Sequence, residues 1–214
     1  MSGRLLTGII TDLWGWRTAI LVMGLLAIGC GLIVWHGLPA SRHFVAPEPR
    51  LGVSMKTLSL HLRDEIQRLL FAEGFLLMGS FVTIYNYIGY RLLAPPFSLS
   101  QTAVVSILAV YLFGMFGSAS VGNLSAKLGL HRILRAAILV ALIGHILTLS
   151  HRLSLIIAGI AILTFGFFAS HAIASSWVSA RAHQAKAQAS SLYLLAYYLG
   201  SSVAGSVELQ IRLP

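Results

Sequence analysis

Apolar runs long enough to cross a bilayer alternate with short polar segments along nearly the whole chain. Residues 18–37, 69–90, 102–122, 133–150, 153–178 and 189–207 each read as a continuous apolar helix. With a rise of about 1.5 Å per residue, about 20 residues cover the hydrocarbon core. Ahead of them, residues 2–11 (SGRLLTGIIT) make a partial span, followed by Asp12, Trp14, Trp16 and Arg17 as an interfacial collar. The pattern predicts an all-α membrane protein with six complete transmembrane helices and a truncated one.

One segment breaks the alternation. Residues 38–67 carry Pro39, Pro47 and Pro49 together with Arg42, Arg50, Lys56 and Arg63. Proline removes a backbone donor and stops helices, so most of this connection is expected to be poorly ordered. Its end, SLHLRDEIQRLL, sets Leu60, Leu62, Ile66, Leu69 and Leu70 at near-helical spacing. That predicts a short amphipathic helix over 57–67, lying at the membrane interface.

The 69–90 span is not uniformly apolar. Its second half holds Ser80, Thr83, Tyr85, Asn86, Tyr87 and Tyr90, with Arg91 closing it. Lipid does not tolerate such groups unpaired, so this face is expected to meet protein or a water-filled path. Asn86 and Tyr90 share a helix face, and Ser80 and Tyr87 are candidates to join them in lining a substrate cavity. Interhelical hydrogen bonds and an outer aromatic belt at Tyr87 and Tyr90 are the alternative. Glu73 lies about one turn inside the span, where a carboxylate suits proton coupling or else reaches headgroups or a nearby base. In the small-rich 153–178 span, His171 is a candidate for a proton relay and, with Ser175, for the cavity; hydrogen-bonded packing is its alternative. Tyr193, Tyr197 and Tyr198 on the last span are weaker candidates for the same cavity.

Composition agrees with the pattern. Of 214 residues, 57% are hydrophobic and 10% charged, against about 25% charged in soluble domains. The net charge of +9 sits in the gaps between spans rather than on one patch, which speaks against nucleic acid. Arg42, Arg50, Lys56, Arg63, Arg68, Lys127, Arg132, Arg135, Arg181 and Lys186 fall in alternate loops, while the other side holds only Arg17, Arg91 and Arg152. The positive-inside rule then makes loops 38–67, 123–133 and 179–188 cytoplasmic. The single cysteine, Cys30, supports no disulfide framework. No phosphate-cradling motif, zinc spacing or carboxylate cluster is present, so neither an enzyme nor a metal or other cofactor is expected. Gly114, Gly117, Ser118 and Gly122, then Ser170, Ala172, Ala174 and Ser175, then Gly200, Ser201, Ala204 and Gly205 recur at helical spacing; such small faces let membrane helices pack closely.

The turn Gly122-Asn-Leu124-Ser-Ala-Lys127-Leu-Gly129-Leu-His-Arg132 resembles the loop signature of the major facilitator superfamily, with Ala126 where the family has an acid. SGRLLTGIITDLWGWR is similar to the end of that family's fifth helix and the turn after it. The 69–91 stretch, GFFASHAIASSW and QASSLYLLAYYLGSS are similar to bacterial inner-membrane transporters of its drug and sugar efflux branch. The resemblance covers about residues 1–205 and implies the C-terminal half of the fold. Residues 1–37 would be the end of the N-terminal half, 38–67 the central cytoplasmic loop, and 68–214 helices 7–11. In that family helices 7 and 10 line the central cavity. The tail SVELQIRLP departs from the pattern, and a truncated reading frame would account for both ends.

Two functions follow. One is multi-pass secondary transport in the bacterial inner membrane, expected as proton-coupled efflux of a small solute. The other is an inactive fragment, or a membrane interaction protein without transport. The expected partners are lipids, a small-molecule substrate and protons, with self-association if the chain stands alone.

Overall fold

A computed structural model describes residues 2–38 and 51–212 of the chain. The expected polar stretch at 39–50, with its prolines, lies outside the described residues. Among those described, regular structure is entirely helical: α1 Ser2–Gly37, α2 Leu51–Arg63, α3 Glu65–Leu93, α4 Gln101–Leu108, α5 Phe113–Leu128, α6 Leu130–Thr148, α7 Leu153–Arg181 and α8 Lys186–Arg212. A single 3₁₀ turn, Ala109–Leu112, joins α4 to α5.

The chain divides into two compact units, Met1–Pro49 and Arg50–Pro214. In the first, α1 is broken at Gly15, whose φ of 82° lies in the left-handed region. Only glycine adopts that conformation at little cost, and the break falls inside the expected Trp-Arg collar. There Thr18 donates to the Trp14 carbonyl at 2.9 Å, and the Arg17 guanidinium lies 5.2 Å from the centre of the Trp16 ring.

In the second unit four sequence expectations shift. The helix expected over 57–67 instead spans Leu51–Arg63 and stops before Asp64. Asp64 has an extended backbone, and its carboxylate accepts from the Gln67 amide at 2.9 Å. That cap starts a new helix, so the long polar-faced span begins at Glu65 rather than Leu69. The run 102–122 is not one continuous α-helix, because the tighter 3₁₀ turn interrupts it. The basic turn expected over 123–133 shrinks to Gly129, the one residue between α5 and α6, with φ of 86°.

Among the described residues, four segments are long and apolar enough to cross a membrane: Leu13–Gly37, Glu65–Leu93, Leu130–Thr148 and Leu153–Arg181. Helix α8 has the length, but Ser190, Ser191, Ser201, Ser202 and Ser206 dilute its apolar character. Helix α7 is the centre of the unit, with Ile156, Ile160, Leu163, Ala174 and Val178 fully buried. Against it α6 packs backbone to backbone: a Cβ added at Gly159 would lie 2.8 Å from the Thr148 nitrogen, and one at Gly166 would collide with the Ala141 backbone. Helices α3 and α8 form a second close pair, where a Cβ on Gly79 would lie 3.1 Å from the Gly200 carbonyl oxygen. Among the small residues singled out in the sequence, Gly114, Gly117 and Gly200 make such approaches, whereas Gly122 and Gly205 have open space beside them.

Candidate functional site

Polar and aromatic groups converge where α3, α7 and α8 meet. The His171 Nδ1 of α7 and the Tyr193 hydroxyl of α8 are hydrogen-bonded at 3.1 Å. The Tyr193 ring packs on Gly74 of α3, so tightly that a Cβ there would lie 2.7 Å from it. Beside Gly74 stands Glu73. Both carboxylate oxygens are buried and have no hydrogen-bond partner among the described residues. Tyr193 is thus hydrogen-bonded to one candidate taken from the sequence, His171, and packs on Gly74, the chain neighbour of another, Glu73.

An aromatic layer extends from this point. Tyr197 lies 4.6 Å from the His171 ring, centre to centre. Phe167 stacks on Phe81 at 3.9 Å. Phe81 neighbours Tyr85 at 4.4 Å, and Tyr111 of the 3₁₀ turn meets Tyr85 edge-on at 5.9 Å. The layer's polar bond is Tyr85 to Thr164 at 2.6 Å, while the Thr164 hydroxyl donates to the Ile160 carbonyl at 2.6 Å.

Other predicted residues lie elsewhere. Ser80 donates to the Leu77 carbonyl at 3.0 Å, and Ser175 to that of Ala172 at 3.2 Å. Both hydroxyls are thus engaged within their own helices. Asn86, Tyr87 and Tyr90 are exposed on α3, outside the layer. Of the loop signature, Gly129 makes the α5–α6 turn, whereas Gly122, Leu124, Lys127 and Arg132 are exposed.

Thr164, Tyr111 and Phe81 drew no notice in the sequence. The one signal was that Thr164 is a lone polar residue in an apolar stretch of α7. No three His, Cys, Asp or Glu side chains gather as a metal would need, among the described residues.

Both ends of α3 are clasped by arginines. At its start Arg181 Nε donates to the two Asp64 oxygens at 2.9 and 3.0 Å. The Arg181 guanidinium, then the Gln67 and Ile66 amides, hold the Asp64 carboxyl below its ordinary pKa, against the opposing effect of burial. At its other end Arg91 donates to the carbonyls of Thr148 and Ser150, the latter at 2.6 Å. Thr148 is the last residue of α6, where carbonyls lack partners within the helix, and Ser150 lies in the turn that follows.

Residues 1–205 match the sequence profile described as the Major Facilitator Superfamily. The chain belongs to that family. It is 46% identical over 207 residues to the inner membrane transport protein YnfM of Escherichia coli (strain K12), covering 97% of this chain and 50% of that protein. It is 42% identical over 205 residues to the MFS-type transporter YybF of Bacillus subtilis (strain 168), covering 96% of this chain and 51% of the relative. A transporter of Buchnera aphidicola from Schizaphis graminum is 40% identical over 205 residues, 96% of this chain and 50% of its own length. The chain thus spans about half the length of these relatives. No solved structure matches it.

Proposed function

We propose that this chain supplies one half of a secondary transporter that exports a small solute in exchange for protons. The carrying observation is Glu73, a carboxylate on α3 whose two oxygens are buried with no hydrogen-bond partner among the described residues. An intramembrane carboxylate is costly, and it is tolerable when it takes up and releases a proton or meets a ligand. Tyr193 and His171, adjoining it, are groups that can accept or pass on that proton. The cavity side of the half is the face of α3 that carries Ser80, Asn86, Tyr87 and Tyr90, together with His171 and Ser175 on α7. Alternating access would move this half against another across a shared cavity.

On this reading α4–α5 and α8 also cross the inner membrane, completing six spans after the partial one, with loops 38–67, 123–133 and 179–188 in the cytoplasm. Residues 1–37 close the preceding half, 38–67 connect, and 68–214 form the C-terminal half.

The experiment is efflux from cells carrying a full-length relative with Glu73→Gln at the matching position. Proton-driven efflux is expected to fall at least about tenfold, while substrate exchange without a proton gradient persists. Efflux indifferent to both the gradient and Glu73→Gln would end the coupling claim.

A further inference from the structure

Away from the aromatic layer, a pocket of about 230 Å³ opens between α2, the first turn of α3 and the turn from α7 to α8. It is smaller than the roughly 300–1,000 Å³ of sites for drug-sized ligands, so it suits a small group. His61, Asp64, Gln67, Arg181, His183 and Gln184 supply its polar lining. His61 is 6% exposed, and its Nε2 has no hydrogen-bond partner among the described residues. Burying a polar atom unpaired is costly, which argues for an occupant. Arg181 gives Asp64 its Nε, and no bond from its two terminal nitrogens is found among the described residues.

Charge decides the class of occupant. Asp64 is neutralised by Arg181, and Glu65 on the first turn of α3 is the other nearby acid. Against that one acid stand Lys56, Arg63, Arg68 and Lys186, all exposed within a few residues of the lining along the chain. The fork of an arginine, an imidazole N–H and the amide of Gln184 approach from different elements, as the several acceptors of a phosphate need. A cation would meet Arg181 and the basic surroundings, and an apolar group would leave His61 Nε2 unpaired.

We infer that this pocket binds a phosphate group, with Arg181 and His61 as its donors. A phosphate so held would tie α2 to the α7–α8 turn, adding to the Asp64–Arg181 pair. The same chemistry is offered by a phospholipid headgroup and by free phosphate.

The experiment measures thermal unfolding of the purified 214-residue chain in uncharged detergent at constant ionic strength. Probes are inorganic phosphate, short-chain phosphatidylglycerol, and short-chain diacylglycerol, which lacks phosphate. Saturable stabilisation by a phosphate-bearing probe, and none by diacylglycerol, is expected. Response to phosphatidylglycerol alone assigns the headgroup; response to inorganic phosphate assigns the free ion. His61→Ala and Arg181→Gln should each weaken the apparent affinity about tenfold or more. Should Arg181→Gln fail to fold, His61→Ala and His61→Gln carry the comparison. No stabilisation by either phosphate probe, or stabilisation that the substitutions leave unchanged, overturns the site.

Discussion

Within the pairs α6–α7 and α3–α8, helices touch through glycine and bare backbone; between the pairs, α3 meets α7 through side chains: a layer of rings, one hydroxyl pair and aliphatic clusters such as Ile88 and Leu92 with Ile156 and Ile160. The two kinds of contact have different tolerances. A glycine seam is set by the shape of two backbones and has no side chain to turn aside, so an added atom must push the helices apart. A ring layer can repack when one ring changes, because several neighbours share the space. The polar groups that a transport step would use, Glu73, His171 and Tyr193, gather beside the adaptable contact. The contrast suggests two stiff helix pairs joined by a layer that can give, with the Asp64–Arg181 and Arg91 clasps limiting how far.

The sharpest way to break that contrast is Gly166→Leu. A Cβ there already collides with the Ala141 backbone, whereas Gly89 of α3 has open space beside it. Overpacking costs about 1–3 kcal/mol and sometimes more, and a branched side chain against fixed backbone belongs at the upper end. Gly166→Leu is expected to lower the midpoint of thermal unfolding in detergent sharply, or to prevent folded purification. Gly89→Leu should cost less than about 1 kcal/mol. Equal behaviour of the two variants would mean the seam is not what fixes α6 on α7.

The clasp at the end of α3 ranks next. Arg91→Ala removes a cation from the carbonyls of Thr148 and Ser150. Hydrogen bonds involving a charged group are worth about 1.5–3 kcal/mol when buried; in this partly exposed position about 1–2 kcal/mol is expected. Arg91→Lys should recover part of it, since a lysine cannot fork onto two carbonyls. The readout is unfolding stability, and an unchanged Arg91→Ala would show that α3 needs no clasp there.

How much of this was readable beforehand differs by region. Most of the helices announced themselves through apolar length, and the basic residues marked the gaps. The break inside 102–122 did not, because its residues are apolar on both sides of the 3₁₀ turn. Gly144, Gly159 and Gly166 passed unremarked, since a glycine's role depends on which backbone lies opposite, and that register is tertiary. Glu73 and His171 were each legible as titratable groups in apolar spans; that Tyr193 bonds to His171 while packing on Gly74 was not. Asp64 was legible and overlooked. Asp64 followed three residues later by Gln67 resembles a helix-start signature, but leucine periodicity on both sides read as one helix.

The Asp64–Arg181 pair carries a smaller effect with a pH signature. Asparagine can still cap a helix, so Asp64→Asn isolates the ion pair. The Asp64 and Arg181 side chains are 27% and 37% exposed, and solvent screening limits the pair to about 0.2–1 kcal/mol. Arg181 lowers the folded carboxyl's pKa from its usual 3.8. Its stabilisation is therefore full above that usual value and is lost as pH falls through the folded one. Wild type should exceed Asp64→Asn in stability at about pH 7, and the gap should close towards about pH 2. A gap that widens on acidification would contradict the pairing.

An effect of similar size probes the adaptable layer itself. Tyr85 and Thr164 are bonded at 2.6 Å, with the threonine hydroxyl also given to Ile160. Interhelical hydrogen bonds within membranes average about 0.6 kcal/mol, because the separated helices find other partners. Tyr85→Phe leaves the ring on Phe81 and deletes the hydroxyl; Thr164→Val keeps the shape of the threonine and deletes its oxygen. Each single change should cost about 0.5–1 kcal/mol, and the double variant should cost less than the sum by about the bond's own worth. If the layer can give, transport by a full-length relative with the matching Tyr85→Phe should change in rate more than its unfolding midpoint changes. A coupling of several kcal/mol would instead make the layer as rigid as the glycine seams. The contrast between the two kinds of contact would then fail at the place where it was expected to be plainest.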